Sequence, residues 1–220
     1  MTVTPIRIIA FFALTPREGR LLCRPMPIIY LVRHGRADTA DPNPRDPGLD
    51  LEGHAQACAV ARDLTARISI PAAILSSPLR RCRSTAVPLA ESWARESQLE
   101  PRVIEVPSPQ PAGRGREKWL KKAFGATWTE LGKAEYLDHP GFGKQLADWR
   151  SNIVEAIREC RTDTVVFTHF VPINVLVGRA LGEDRVVCFR PDNCSVTAIE
   201  VSGKSLRLLS LGREATNRVL

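Results

Sequence analysis

Two histidines stand where short apolar runs end. Ile28-Ile29-Tyr30-Leu31-Val32 leads straight into Arg33-His34-Gly35, and Thr164-Val165-Val166-Phe167 leads into Thr168-His169. Both runs are continuous and rich in β-branched residues, the pattern of strands buried on both faces. A third strand pattern, Ala72–Leu75, ends in Ser76-Ser77-Pro78-Leu79-Arg80-Arg81 and so brings guanidinium groups to a helix start. Helix N-termini expose free amides and positive partial charge, so this terminus together with Arg33 and Arg81 suits an oxyanion, and phosphate is its natural guest. Neutral imidazole is a competent nucleophile near pH 7, and a histidine beside a bound phosphoryl group can split one hard displacement into two. That chemistry asks mainly for alignment and for neutralised equatorial oxygens, which two arginines and a second imidazole supply.

The elements that must position these groups alternate along the chain. Beyond the three strands, a helix is expected over Leu51–Ala66, with Asp50 as N-cap and an apolar stripe at Ala55, Cys58, Ala61 and Leu64. A second helix is expected from Ser77-Pro78 to about Trp93, with Ser77 as N-cap and Pro78 in the first turn. Val103–Val106 is a short strand pattern, Leu146 to Cys160 a helix, Val171–Leu181 an apolar helix closed by Gly182, and Val196–Val201 with Leu206–Leu211 a terminal hairpin. Pro107 to Gly143 breaks the rhythm with prolines and glycines, and reads as an insertion beside the sheet. Within it, Trp119, Leu120, Ala123 and Phe124 form the inner face of a short helix, with Arg116, Lys118, Lys121 and Lys122 outward. The fold class is α/β, a three-layer αβα sandwich with a mostly parallel central sheet, whose ligands bind outside the carboxyl ends of the strands.

The 220 residues are 44% apolar and 25% charged, and no apolar run reaches the roughly 18 residues of a bilayer-spanning helix. Disordered, fibrous and membrane-spanning classes drop out. The net charge of +7 falls partly on the first 25 residues, where Arg7, Arg17, Arg20 and Arg24 face only Glu18. The remainder is a mild bias that suits anionic small molecules and makes no case for nucleic acid. Residues 1–25 read as a non-structural extension or start-site artefact, with translation beginning at Met26, because Ile8–Leu14 lacks the cleavage site of a signal peptide. Six cysteines without C-x-x-C spacing read as reduced thiols in a cytoplasmic protein.

With these residues in view, the sequence resembles the histidine phosphatase superfamily, the phosphoglycerate mutase-like family. The resemblance rests on four segments in order, spread over most of residues 28 to 182. They are Leu31-Val32-Arg33-His34-Gly35, Leu49-Asp50-Leu51-Glu52-Gly53-His54-Ala55-Gln56-Ala57, Ser76-Ser77-Pro78-Leu79-Arg80-Arg81-Cys82-Arg83-Ser84-Thr85-Ala86, and Val165-Val166-Phe167-Thr168-His169. It implies a single domain over 26–220 with its insertion at about 107–143. It also implies hydrolysis of a phosphomonoester through phosphohistidine at His34, with Arg33, Arg81 and His169 as the phosphate pocket and no metal or organic cofactor. Arg81 is favoured over Arg80 because the family's arginine directly precedes a small residue, here Cys82. The family carries a carboxyl group that protonates the leaving oxygen, and Glu105 is the candidate, with Glu52, Asp38 and Asp138 as outside ones. Asn193 lies just before a strand, where its amide can donate to phosphate or orient His169.

The implied partner is a phosphorylated small molecule, with neither nucleic acid nor membrane. A mutase remains open, although the mutase-like Glu/Trp segment is replaced by Glu105-Val106-Pro107-Ser108-Pro109. So do a phosphohistidine-protein phosphatase, which the insertion disfavours, and a non-catalytic phosphate-binding scaffold of the same fold. Phe170 stands where glycine is commoner and would narrow the mouth of the site. Trp119 and Trp128 could cover a substrate or cap the domain. His54 and His139 are read as structural, and no metal-ligand spacing is present.

Overall fold

The computed structural model describes residues 26–108, 114–133 and 141–216. The expectation for residues 1–25 lies outside them, as do His139 and Asp138. Six strands form one sheet in the order β3-β2-β4-β1-β5-β6. Four of them, β1 (Ile28–Arg33), β2 (Ala73–Ser76), β3 (Ser97–Leu99) and β4 (Thr164–Thr168), run parallel to one another. The expected hairpin, β5 (Val196–Ser202) and β6 (Ser205–Ser210), adds two antiparallel strands at one edge.

Side chains alternate across the sheet and divide the core in two. Ile29 and Leu31 of β1 join the face covered by α5 (Phe142–Arg158) and α6 (Phe170–Leu181), while Val32 joins the face covered by α1 (Leu51–Arg67) and α2 (Arg80–Trp93). The insertion supplies α3 (Arg114–Phe124) and α4 (Trp128–Leu131) on the α5/α6 side. Trp128 is buried against Trp149, and Trp119 meets Phe142 edge-on at 5.8 Å, so both tryptophans cap the domain.

Three expectations need correction. The buried face of α1 is Ala57, Val60, Ala61 and Leu64, with Ala55 and Cys58 exposed, because three-residue steps drift off a face whose turn is 3.6 residues. Val103–Val106 is not a strand. Pro101 starts a 3-10 turn over Pro101–Val103, and the segment then runs as an unpaired plug with Val103 and Val106 buried. Its carbonyls are taken by Thr168 Oγ1 at Val103 and by Trp149 Nε1 at Ile104. The sheet's third parallel strand is the polar, three-residue β3, too short and too exposed to carry a strand signature. Finally, α2 begins at Arg80 and not at Ser77-Pro78, and no side chain caps it.

Candidate active site

The reacting groups are brought together by strand order. β1 and β4 are adjacent and parallel, with Arg33 paired to Thr168, so the residues that follow both strands emerge side by side. The His34 amide donates to the Thr168 carbonyl at 3.0 Å, and the two imidazoles sit edge to face with centroids 5.2 Å apart. The turn after β1 is held by two of the other segments read as motifs. The Gly35 amide donates to Thr85 Oγ1, the Arg36 amide to Gln56 Oε1, and the amide of Gly53 to the capping carboxylate of Asp50. Two glycines make this approach possible: a Cβ on Gly35 would lie 2.6 Å from the Gly53 carbonyl oxygen, and one on Gly53 would lie 2.1 Å from that of Arg36. Gly53→Ala is therefore expected to cost about 1–3 kcal/mol or more of stability, since backbone atoms cannot step aside as side chains do. Urea unfolding of the variant measures it, and an unchanged midpoint would contradict the packing.

Arg81 ties the two imidazoles together. Its Nε donates to His34 Nε2 and its Nη2 to His169 Nδ1, both at 3.2 Å. A guanidinium only donates, so both of those ring nitrogens present lone pairs. The other nitrogens complete the assignment: His34 Nδ1–H donates to the Gly35 carbonyl and His169 Nε2–H to Ser77 Oγ, each at 2.8 Å. His34 Nε2 is thus the unprotonated nitrogen of its ring, turned towards Arg81. Burial, then the charges of Arg81 and Arg33, push the His34 pKa well below the ordinary histidine value. Burial, His34 and the same arginines do so for His169, and both rings are neutral at pH 7. Behind His169 lies the buried Cys82, its thiol 3.4 Å from Nε2 and donating to the Thr168 carbonyl; burial raises its pKa, so it packs as a neutral thiol.

Arg33 enters from β1. Its Nη1 donates to the Pro191 carbonyl at 2.9 Å, and its guanidinium lies 5.3 Å from the centroid of the Phe170 ring, whose other partner is Phe124 of the insertion. Phe170 therefore joins α3 to the site. Glu105 lies in the plug after the 3-10 turn, accepts from the Val106 amide, and feels Arg81, Arg116 and Arg33. Burial outweighs those cations and raises its pKa above the usual carboxylate value. Among the described residues, no group of three His, Cys, Asp or Glu side chains is placed to hold a metal.

A strand-end pair of neutral imidazoles, two guanidiniums and one carboxyl of raised pKa is an arrangement for phosphoryl chemistry, and the comparisons with known proteins agree. The sequence profile of the histidine phosphatase superfamily, branch 1, matches residues 29–214. The chain belongs to the histidine phosphatase superfamily. Phosphoryl transfer through phosphohistidine is the general chemistry of that family. The chain is 29% identical over 198 residues to phosphoserine phosphatase 1 of Hydrogenobacter thermophilus, spanning 83% of this chain and 90% of that one. In structure it is similar to YhfR of Bacillus stearothermophilus (TM-score 0.66, 20% identity, 86% of this chain and 98% of that one). It is similar too to a phosphoserine phosphatase of Entamoeba histolytica (TM-score 0.63, 21% identity, 87% and 98%). At those identities the solved structures speak for the fold.

Within this histidine phosphatase fold, Arg81 joins His34 and His169 directly, and Arg33 and Glu105 lie within electrostatic reach of that group. Asn193 also reaches it, though its Nδ2 donates to the His34 carbonyl at 2.7 Å and not to His169. It fixes the backbone at His34. The outside carboxylates are engaged elsewhere, Glu52 with Arg36 and Asp38 with the Ala40 amide. Arg80 pairs with Asp41 at 3.0 Å, while Arg81 is the one that meets the imidazoles. Two site residues escaped sequence reasoning. Ser77 is expected to cap α2, and its hydroxyl instead accepts the hydrogen bond from His169 Nε2–H. Arg116 was expected outward with the lysines, yet it is half-buried and donates to the Val106 carbonyl at 3.3 Å.

Proposed function

We propose that this histidine phosphatase hydrolyses a phosphomonoester of a small molecule through a phosphohistidine on His34, in the manner of a histidine acid phosphatase. The observation that supports the reading is Arg81, which donates to both imidazoles and so marks His34 Nε2 as the unprotonated nitrogen, beside two guanidinium groups, that a phosphoryl group displacing the Arg81 contact would meet. In the first step His34 Nε2 attacks phosphorus in line, the bond from phosphorus to the ester oxygen breaks, and Glu105 gives its proton to the departing alkoxide. Arg33 and Arg81 hold the equatorial oxygens, and His169 takes up a proton as the dianion enters and donates it from Nδ1 while Ser77 keeps the Nε2 proton. In the second step water gives a proton to the Glu105 carboxylate and its oxygen attacks phosphorus; the phosphorus–nitrogen bond breaks, releasing phosphate and neutral His34.

The relatives' names point to small phosphorylated acids: phosphoserine for the Hydrogenobacter protein, and 3-phosphoglyceric acid bound to the Entamoeba one. A cytoplasmic setting fits the five described cysteines, all free, and the lack of any helix among the described residues long and apolar enough to cross a membrane. The reading is tested by phosphate release from para-nitrophenyl phosphate between pH 5 and 8 without added metal, using a chain beginning at Met26. Release that Arg81→Ala lowers by about 10²-fold or more is expected. Phosphate bound without any turnover of this ester or of phosphoserine would favour the scaffold reading.

A further inference from the structure

Arg33 holds its charge out of water with few polar partners. Burial lowers its pKa, Glu105 and Asp192 oppose that fall, and Arg81 adds to it. Among the described residues no carboxylate comes within ion-pair distance of its guanidinium. The side chain makes one hydrogen bond there, from Nη1 to the Pro191 carbonyl, and its Nε is buried with no acceptor. What meets the charge instead is an aromatic ring: the guanidinium carbon lies over Phe170, 5.3 Å from its centroid.

That partner suits an oxyanion site. A carboxylate in its place would occupy N–H donors and cancel the charge, and an arriving phosphoryl group would have to displace it. An aromatic face attracts the cation through its quadrupole, takes up no N–H and adds no charge of its own. A long side chain held by a single hydrogen bond keeps much of its rotamer freedom, and the ring removes part of that freedom before an anion arrives. The ring is itself held. Phe170 opens α6 directly after His169 and is buried, and Phe124, the last residue of α3, stacks on it with centroids 5.2 Å and planes 25° apart. A run of contacts thus leads from Arg33 at the end of β1 through Phe170 to the insertion.

We propose that Phe170 is a positioning residue, which holds the Arg33 guanidinium ready for the phosphoryl oxygens and makes that hold depend on how the insertion is seated through Phe124. This rests on the reading of Arg33 as a phosphate ligand. The insertion then has a function as well as a packing role, because its seating reaches the charge that binds the substrate.

The test is a mutant cycle on the full chain with two readouts, kcat/KM for para-nitrophenyl phosphate and the dissociation constant of inorganic phosphate by calorimetry. Phe170→Leu is expected to worsen each by about 10-fold or more, and Phe170→Tyr, which keeps the ring, to stay within about 3-fold of wild type. Phe124→Leu is expected to act in the same direction by about 3-fold. The deciding comparison is made in Arg33→Gln, where no guanidinium is left to hold. There Phe170→Leu and Phe124→Leu are each expected to change the readouts by less than about 2-fold. A packing role alone would give the same loss with and without Arg33; that result, or wild-type constants in Phe170→Leu, would overturn the proposal. If Phe170→Leu fails to fold, Phe124→Leu, at a half-buried position, carries the same cycle. The readings fail separately. Phosphate weakened by Arg33→Gln but not by loss of the ring strikes out Phe170 alone, and phosphate affinity unchanged in Arg33→Gln removes Arg33 from the pocket and the proposal with it. With no ester turned over, the phosphatase reading fails by itself and the phosphate constants still decide the role of Phe170.

Discussion

His34→Ala is expected to lower turnover of every phosphomonoester by roughly five orders of magnitude, as loss of a nucleophile does in enzymes with a covalent intermediate. Removing His34 Nε2 leaves no atom in line with the phosphorus: His169 presents Nδ1 to Arg81 and is pinned at Nε2 by Ser77. The variant is still expected to bind phosphate through Arg33 and Arg81, and more tightly if anything, because the ring no longer occupies an Arg81 donor. The fold should survive. His34 is buried, only 8% exposed, so the substitution removes two internal hydrogen bonds, to the Gly35 carbonyl and from Arg81, and leaves a small polar space, a cost of about 1–3 kcal/mol. Circular dichroism and phosphate release together check this; a well-folded variant with more than about a hundredth of the wild-type rate would contradict nucleophilic catalysis at His34.

The second large effect concerns Glu105. His34 must be neutral to attack, and its lowered pKa sets an acid limb on which activity rises as pH rises. Glu105 must be protonated to donate, and its raised pKa sets a basic limb on which activity falls as pH rises. The result is a bell between the two. Glu105→Gln is expected to abolish the basic limb and to slow alkyl phosphates by about 10²–10⁴-fold. Para-nitrophenyl phosphate should suffer less in the first step, because nitrophenolate departs without a proton. Water attack still lacks its base, so nitrophenol should appear in a burst followed by slow turnover. Stopped-flow absorbance with an alkyl phosphate in parallel decides it. Equal loss for both esters with no burst, and a basic limb that persists, would move the general acid away from Glu105.

Much of this was legible in the residues. His34 and His169 were found because buried parallel strands are continuous apolar runs, and whatever follows them stands at the crevice. Gly53 and Gln56 fell within a recognisable segment, and the structure supplies the reason: one allows and the other fixes the turn after β1. What escaped had no local signature. The polar strand β3 is specified by pairing with β2, and its own three residues show no alternation. Ser77 followed by proline looks like a helix cap, and only the arrival of β4 turns its hydroxyl to His169. Arg116 shares a stretch with three lysines, and its direction depends on how α3 rests against Phe170, a contact between residues far apart in sequence.

The most direct measurement is rapid quenching in alkali with ³²P-labelled substrate. Phosphohistidine is stable in alkali and lost in acid, unlike phosphoserine or an acyl phosphate. The account predicts transient, acid-labile label on the wild-type chain, located by peptide mass at the segment Arg33-His34-Gly35 and absent from His34→Ala. Phosphate released at full rate with no labelled protein, or label that persists in His34→Ala, would contradict it.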